Sequence, residues 1–183
     1  MSIKLTTPLT KDKVKQLKIG DEVFLSGTIY TARDAAHEKL VNLLKDNQKL
    51  PFDPEGSVIY YVGPTPAQPG HVIGSAGPTT SYRMDPYVND LLKVGVKAVI
   101  GKGQRSPEVV EGFIKYKAVY FGATGGAGAL LSKTIKKAEV IAFDDLGPEA
   151  IRKLEVEDMP LIVINDCEGN DLYVQGRKKW EVK

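Results

Sequence analysis

Short apolar runs that alternate with helix-like stretches are the feature that most constrains the fold of this chain. Residues 57–63 form an unbroken apolar run between turn residues, which is typical of a buried strand. Two more strands are predicted at residues 97–103 and 118–122. Each follows a predicted helix, at residues 85–95 and 107–117 respectively. Because strands and helices alternate, the pattern predicts an α/β fold with a largely parallel or mixed sheet.

A first long strand and the helix after it are predicted around Arg33. Alternating apolar residues predict a strand that ends near Thr31, and residues 34–48 place leucines on one helical face. Asp34 is predicted to cap this helix, and its charge suits the positive end of the helix dipole. Arg33 therefore lies at a strand-to-helix junction, where backbone amides and the dipole favour anions.

The last third of the chain has weaker patterns. A helix is predicted at residues 129–138, after the glycine-rich residues 122–128. Strands are predicted at residues 139–147 and 161–166, and residues 171–176 are a candidate last strand. The length of 183 residues fits a single domain over the whole chain.

Three cations lie where predicted strands end. Arg33 follows the first long strand, Lys102 follows another, and Arg83 lies near the end of a long loop rich in glycine and hydroxyl groups. In α/β sheets ligands gather beyond the carboxyl ends of the strands. Two arginines and a lysine suit a ligand with two carboxylates or a phosphate. Thr79 and Thr80 in the same loop offer hydroxyls, which need activation to act as bases because their pKa lies far above neutrality.

The composition excludes several kinds of site. The single cysteine, Cys167, allows no internal disulfide and no zinc or iron–sulfur site made from thiolates of this chain alone. His37 and His71 are the only histidines, and each is expected to be structural. The net charge of +2 gives no reason to expect nucleic acid or an anionic membrane as a partner. No apolar run approaches the roughly 20 residues that span a bilayer, and a cytoplasmic location is expected.

The glycine-rich stretch "GATGGAG", residues 122–128, follows a strand and precedes a helix, as a dinucleotide site requires. Its spacing does not give G-x-G-x-x-G, because that register needs glycine at Leu131. It also lacks the G-K-[ST] ending of a P-loop. A tight turn that lets backbone or a partner pack closely is the favoured interpretation.

Four motifs in order carry a family resemblance. They are "SGTIYTARDAAH" (26–37), "YYVGPTPAQPG" (60–70), "IGSAGPTTSYRMDPY" (73–87) and "IGKG" (100–103). Together they resemble the class I, iron–sulfur-dependent fumarate hydratases, and more narrowly the β subunit, or C-terminal domain, of those enzymes and of the related L-tartrate dehydratases. The resemblance implies an α/β fold of the swivelling β/β/α type, a single domain with a mixed sheet.

The same resemblance implies a hydro-lyase that reversibly hydrates fumarate to (S)-malate and is active only with a separate α subunit. That subunit would hold a [4Fe-4S] cluster, one iron of which acts as a Lewis acid towards the substrate. One cysteine cannot supply the three ligands of such a cluster, so the cofactor is expected on the partner and not on this chain. The chain is therefore expected in a hetero-oligomer with a small dicarboxylate as substrate.

Matched by motif, Arg33, Arg83 and Lys102 correspond to the family's contacts with the substrate carboxylates. Thr79 corresponds to the threonine proposed as the base that takes the carbon-bound proton, and hydrogen bonding to an anion is its alternative role. No metal ligand is expected in this chain. Three further residues are candidates for supporting roles behind the site: His37, Thr80 and Asp34.

Two alternatives stay open. L-Tartrate dehydration poses nearly the same chemical problem and differs by one hydroxyl, and fumarate is favoured only because its pathway, the tricarboxylic acid cycle, is common. A non-catalytic module that binds an organic anion or a partner protein is the second alternative. It predicts that the lone chain binds a dicarboxylate stably and without iron.

Overall fold

A seven-stranded mixed sheet organises the part of the chain that the computed structural model describes, residues 2–178, 180 and 181. Its strands are β1 (Ile3–Thr6), β2 (Glu22–Thr31), β3 (Val58–Tyr60), β4 (Ala98–Gly101), β5 (Val119–Gly122), β6 (Ile135–Ala142) and β7 (Ile151–Asn165). The helices are α1 (Lys11–Lys15), α2 (Asp34–Lys45), α3 (Asp85–Lys93), α4 (Pro107–Tyr116), α5 (Gly128–Lys133) and α6 (Leu172–Lys178). A first 3₁₀ helix covers Ser81–Met84 and a second covers Asp144–Glu149.

The sheet closes on itself through its longest strand. Strands β1 to β5 are parallel neighbours in chain order. Strand β7 runs antiparallel and pairs with β5 on one side and with β2 on the other. Strands β2, β3, β4, β5 and β7 therefore form a closed, barrel-like ring, and β1 and β6 extend it from β2 and β7.

Two apolar cores lie on the two faces of this ring. In β4, Ala98 and Ile100 belong to the cluster inside the ring, whereas Val99 belongs to the cluster under the helices. This alternation follows from the two-residue period of a strand. The outer cluster contains Leu40 of α2 and Phe113 of α4. Full burial of one such side chain contributes roughly 1.5–3 kcal/mol before the entropy cost of ordering it.

The four parallel strands of the ring end together at one side. The register pairs Thr31 with Tyr60, and Gly101 with Gly122. The segments that follow β2, β3, β4 and β5 therefore emerge side by side. We call this side the carboxyl edge, and it comprises residues 32–34, 61–63, 102–103 and 123–128.

The predicted class, a mixed α/β domain with a mixed sheet, is confirmed. Strands β2 to β5 and helices α2 to α4 lie within a few residues of their predicted positions. Among the helices of the described residues, none has both the length and the hydropathy to cross a membrane.

Several predictions for the last third of the chain are wrong. The helix predicted at residues 129–138 ends at Lys133, and residues from Ile135 onward form β6, because pairing with β7 outweighs local helix preference. The strand predicted at residues 139–147 ends at Ala142 and leads into the second 3₁₀ helix. Strand β7 begins at Ile151 and not at residue 161.

The candidate strand at residues 171–176 is also wrong, because Leu172–Lys178 form a helix. The carboxylate of Asp171 accepts hydrogen bonds from the N–H groups of Tyr173 and Val174, so Asp171 caps that helix. Two elements near the start, β1 and α1, were not predicted.

Candidate functional site

Arg33 lies at the carboxyl edge between β2 and α2, as the sequence predicts. Its Nη2 is 3.3 Å from Glu149 Oε1, and 22% of its side chain is exposed. The guanidinium packs against Gly63, where a side-chain carbon would lie 2.5 Å from Nη1. A glycine at this position therefore lets Arg33 reach from the end of β2 to the end of β3.

Arg83, on the first 3₁₀ helix, reaches the start of α2. Its Nη2 is 2.6 Å from Asp34 Oδ2, and both side chains are partly exposed. An ion pair of this kind contributes no more than about 1 kcal/mol to stability. Its structural effect is to bring the second predicted cation beside the first.

The prediction that Asp34 caps α2 is wrong. Arg33 occupies the N-cap position and makes no side-chain capping bond. The free N–H of Ala35 instead donates to Glu149 Oε2 at 3.2 Å. Asp34 turns towards Arg83, and the cap comes from a carboxylate 114 residues further along the chain, which no local pattern reveals.

Thr79 and Thr80 lie where β3 and β4 separate. The N–H of Thr79 donates to the carbonyl of Tyr61 at 2.7 Å, and its carbonyl accepts from the N–H of Lys102 at 3.3 Å. The backbone N–H of Ser81 donates to the carbonyl of Lys102 at 2.8 Å, and Thr80 pairs with Lys102 as an isolated parallel bridge. Backbone hydrogen bonds thus place the predicted base beside the third predicted cation.

The long loop before Thr79 is anchored at its base. The hydroxyl of Tyr60 donates to the carbonyl of Ala76 at 2.6 Å, and the N–H of Ala76 donates to the carbonyl of Gly128 at 3.1 Å. A side chain at position 128 would overlap Ser75 and Gly77. The close packing predicted for the glycine-rich stretch is therefore confirmed, and it holds the loop that carries Thr79.

Lys102 is partly exposed and lies beside the glycine-rich stretch. A side-chain carbon at Gly125 would lie 3.8 Å from Lys102 Nζ. Across the part of the chain that the structure describes, Lys102 has no carboxylate within 4 Å. Of the three predicted cations it is therefore the one without a carboxylate partner there, whereas Arg33 and Arg83 are paired with Glu149 and Asp34.

His37 supports Arg33 from inside the protein. It is fully buried, and its Nδ1 is 2.9 Å from the carbonyl oxygen of Arg33, so Nδ1–H donates. Its ring meets the edge of Tyr61 at 5.2 Å between centroids. Burial lowers the pKa of His37 from 6.5 to about 4, with a further contribution from the charge of Arg105. The ring is therefore neutral at pH 7 and contacts the backbone of Arg33.

A buried arginine that the sequence did not single out lies behind the site. Arg105 has no exposed side-chain surface, and its Nη2 is 2.7 Å from Asp85 Oδ1. Its Nη1 donates to the hydroxyl of Tyr61 at 3.3 Å. Asp85 directly follows the first 3₁₀ helix, and its other oxygen accepts from the N–H of Ser106 at 2.7 Å. The only local signal is the Ser106–Pro107 helix start, which says nothing about Arg105.

The side chains predicted for the site, Arg33, Thr79, Arg83 and Lys102, are each at least partly exposed. Five well-formed cavities among the described residues are lined by other residues, and none of these five includes Arg33, Thr79, Arg83 or Lys102. The predicted residues therefore come together on a surface that another molecule could cover. Chemically, this surface offers two paired guanidinium groups, a free ammonium group and a hydroxyl.

Sequence comparison decides the family of the chain. Residues 1–176 match the family described as "Fumarase C-terminus". This chain belongs to that family. The resemblance carried by the four motifs is therefore confirmed.

Relatives of this fumarase C-terminus chain include one protein of nearly the same length and others that are much longer. It is 45% identical over 177 residues to a Methanocaldococcus jannaschii protein named provisionally as an L(+)-tartrate dehydratase subunit beta, covering 93% of this chain and 91% of that one. It is 39% identical to fumarate hydratase 2 of Leishmania major, covering 94% of this chain and 31% of the relative. It is 40% identical to the anaerobic class I fumarate hydratase of Escherichia coli, covering 89% of this chain and 30% of the relative. The chain thus spans about 30% of the length of these two fumarate hydratases.

The residues of this family member do not fit an iron–sulfur cluster. Cys167, its single cysteine, is buried, and its Sγ lies 3.9 Å from the carbonyl oxygen of Val14. Iron–sulfur clusters are held by several cysteine thiolates. Within residues 2–178, 180 and 181, no three His, Cys, Asp or Glu side chains form a group that could hold a metal.

Proposed function

We propose that this chain is the β subunit of a hydro-lyase that reversibly adds water to fumarate and forms (S)-malate. The observation that carries the proposal is that Arg33 and Lys102 lie on the carboxyl edge, while Arg83 and Thr79 adjoin it through an ion pair and backbone hydrogen bonds. Two carboxylates pair with the arginines, so one positive charge remains to attract a dianion. The names of the fumarate hydratase relatives support the same chemistry.

In this proposal the cations bind the two carboxylates of the substrate. Lys102 acts as a point charge, and Arg33 and Arg83 exchange Glu149 and Asp34 for substrate oxygens. A guanidinium can grip a carboxylate through two parallel hydrogen bonds. The protein carboxylates hold the arginines in place until the substrate arrives, which lowers the cost of ordering them.

In this proposal Thr79 takes the carbon-bound proton of malate in the dehydration direction and returns it to the carbon when fumarate is hydrated. A neutral hydroxyl that took a proton would become positively charged beside a cation, so Thr79 would have to act as its alkoxide, after losing its own proton, and the neighbouring cation would stabilise that negative charge. The main chain of Thr79 is fixed beside the carboxyl edge by hydrogen bonds to Tyr61 and Lys102. Donation of a hydrogen bond to an anionic intermediate is the alternative role.

We propose that an α subunit covers the carboxyl edge and holds the iron–sulfur cluster. Large apolar side chains are exposed on segments next to this edge, with 62% exposure for Tyr82 and 65% for Leu130. A partner that covered these side chains would remove apolar surface from water, which favours association. Coverage would exclude water from the substrate and strengthen every charge contact in the site.

A second candidate function is L-tartrate dehydration by the same arrangement. The Methanocaldococcus jannaschii relative favours it, because its sequence is 45% identical and its length nearly matches. The two substrates are both four-carbon dicarboxylates, so the same cations serve either one.

Anaerobic affinity purification of this chain from its native cells tests the proposal. The eluate is assayed for iron and for hydration of fumarate and dehydration of L-tartrate, beside the chain expressed alone. We expect a co-purifying iron-bearing subunit, activity in the eluate and no activity in the lone chain. Activity on L-tartrate but not on fumarate would favour the second candidate function, L-tartrate dehydration. An eluate without partner, iron or lyase activity would refute both and favour a non-catalytic anion-binding module.

A further inference from the structure

The segments that carry Arg83 and Lys102 meet at one buried tyrosine. Ser81 lies two residues before Arg83, and Gly103 directly follows Lys102. The hydroxyl of Tyr120, on β5, is 2.9 Å from the hydroxyl of Ser81 and 2.9 Å from the carbonyl oxygen of Gly103. One phenol oxygen thus joins two separate segments of the site.

The direction of these hydrogen bonds follows from the chemistry of the three groups. A carbonyl oxygen only accepts, so the single O–H of Tyr120 donates to Gly103. The hydroxyl of Ser81 then donates to the oxygen of Tyr120. Burial raises the pKa of the Tyr120 phenol, so it keeps the proton that this arrangement needs.

The ring of Tyr120 is itself held tightly. Phe113 of α4 stacks on it at 6.4 Å between centroids and 13° between planes, and Arg105 Cζ is 5.2 Å from its centroid. On the other side, a side-chain carbon at Gly101 would overlap the Ser81 hydroxyl. The absence of that carbon lets Ser81 approach the end of β4 and reach the phenol.

The packing of β5 does not depend on this hydroxyl, whereas its two hydrogen-bond partners do. Phenylalanine would fill the same space between the strands and α4, and replacing a buried hydrogen-bonded group by an apolar one is costly only where its partners lose their bonds. Here those partners are Ser81 and Gly103, which flank the two cations. The hydroxyl therefore matters for the relative position of the two segments more than for the packing of β5.

We propose that Tyr120 is a positioning residue for the reaction, whose hydroxyl ties the Arg83 segment to the Lys102 turn and so fixes the distance between two carboxylate-binding cations. This inference rests on the proposed function, because it assumes that both cations bind one substrate. A second hydroxyl supports the same turn from outside, since Tyr173 of α6 accepts the N–H of Gly103 at 3.2 Å.

Kinetics of Tyr120→Phe in the complete complex test the proposal. We expect kcat/KM for the dicarboxylate to fall by about 10-fold to about 100-fold, mainly through a higher KM, as when binding groups are slightly misplaced. Ser81→Ala should cause a smaller change in the same direction. The double variant should be no worse than Tyr120→Phe, because the Ser81 hydroxyl acts through the phenol.

Thr28→Val is the matched control. It removes the 2.6 Å hydrogen bond from Thr28 to Glu155, away from the carboxyl edge, and should leave KM unchanged whatever it does to stability. A merely structural role for Tyr120 would lower the folded fraction, and with it the apparent kcat, but would not move KM. An unchanged KM in Tyr120→Phe would overturn the proposal.

Amide hydrogen exchange in the full chain gives a result that does not depend on activity. The N–H groups of Ser81 and Lys102 bond across the two segments, to Lys102 and Thr79. Tyr120→Phe should speed their exchange at least about tenfold relative to Thr28→Val, because the local opening becomes easier. If the wild-type complex acts on neither fumarate nor tartrate, the proposed function fails, and unchanged exchange in Tyr120→Phe would separately overturn the positioning role.

Discussion

Replacement of the buried His37 by glutamine should remove a pH-dependent part of folding stability. Burial lowers the pKa of His37 in the folded chain from 6.5 to about 4. Nearby, Arg105 also disfavours the charged ring, whereas the hydrogen bond to Arg33 and the charge of Asp34 favour it. The glutamine variant keeps a polar side chain of similar length but has no titrating group.

The sign and size follow from proton linkage. Between pH 6.5 and about 4 the unfolded chain binds a proton at His37 and the folded chain does not, so acid favours unfolding. The full contribution is present above pH 6.5 and is lost as the pH falls towards 4. A pKa difference of this size corresponds to about 3 kcal/mol in total, lost at up to about 1.4 kcal/mol per pH unit.

Urea unfolding at a series of pH values measures this loss. The free energy of unfolding of the wild type should fall relative to that of His37→Gln as the pH decreases, and this change in the difference does not depend on any constant offset at neutral pH. Other groups that titrate in the same range cancel in the difference between the two curves. His71→Gln replaces an exposed histidine and should keep the wild-type slope. Parallel curves for the wild type and His37→Gln would refute the reasoning.

Three further variants test the site and its support. Arg83→Ala should lower kcat/KM of the complex by about 100-fold or more with unchanged circular dichroism, and near-wild-type turnover would remove Arg83 from the site. Lys102→Met should raise KM for the dicarboxylate and weaken its dependence on salt, and an unchanged salt dependence would contradict a free binding charge. Gly128→Val should lower the free energy of unfolding, measured in urea, by about 1–3 kcal/mol, because the new side chain overlaps Ser75 and Gly77. A wild-type unfolding midpoint would show that the loop can shift to make room for the side chain.

The sequence alone located the parallel strands and the cations at their ends. Strands such as β4 can be recognised from an apolar run that ends at glycine. In a parallel sheet the ends of such strands lie side by side. Arg33 and Lys102 could be placed at the carboxyl edge for this reason. Their roles as substrate contacts came from the motifs and stay predictions.

The partners of these side chains could not be predicted, because they come from distant parts of the chain. Glu149 caps α2 and pairs with Arg33 although 114 residues separate it from Ala35. Tyr120 looks like any aromatic residue in a buried strand until Ser81 and Gly103 are seen around its hydroxyl. The segment after Lys133 was misassigned because its strand conformation depends on pairing with β7.

Closure of the ring by β7 gives the chain an order of folding during synthesis. Thr28 and Glu155, which are 127 residues apart, bond across the β2–β7 pair, and such distant contacts form slowly. Before β7 emerges from the ribosome, β2 and β5 each present an unpaired edge that can pair wrongly with another chain. Tyr120 lies on β5, so its hydrogen bonds to Ser81 and Gly103 are held in place only after β7 pairs with β5. A nascent or truncated chain would therefore be exposed to chaperones and proteases before it could present a finished site.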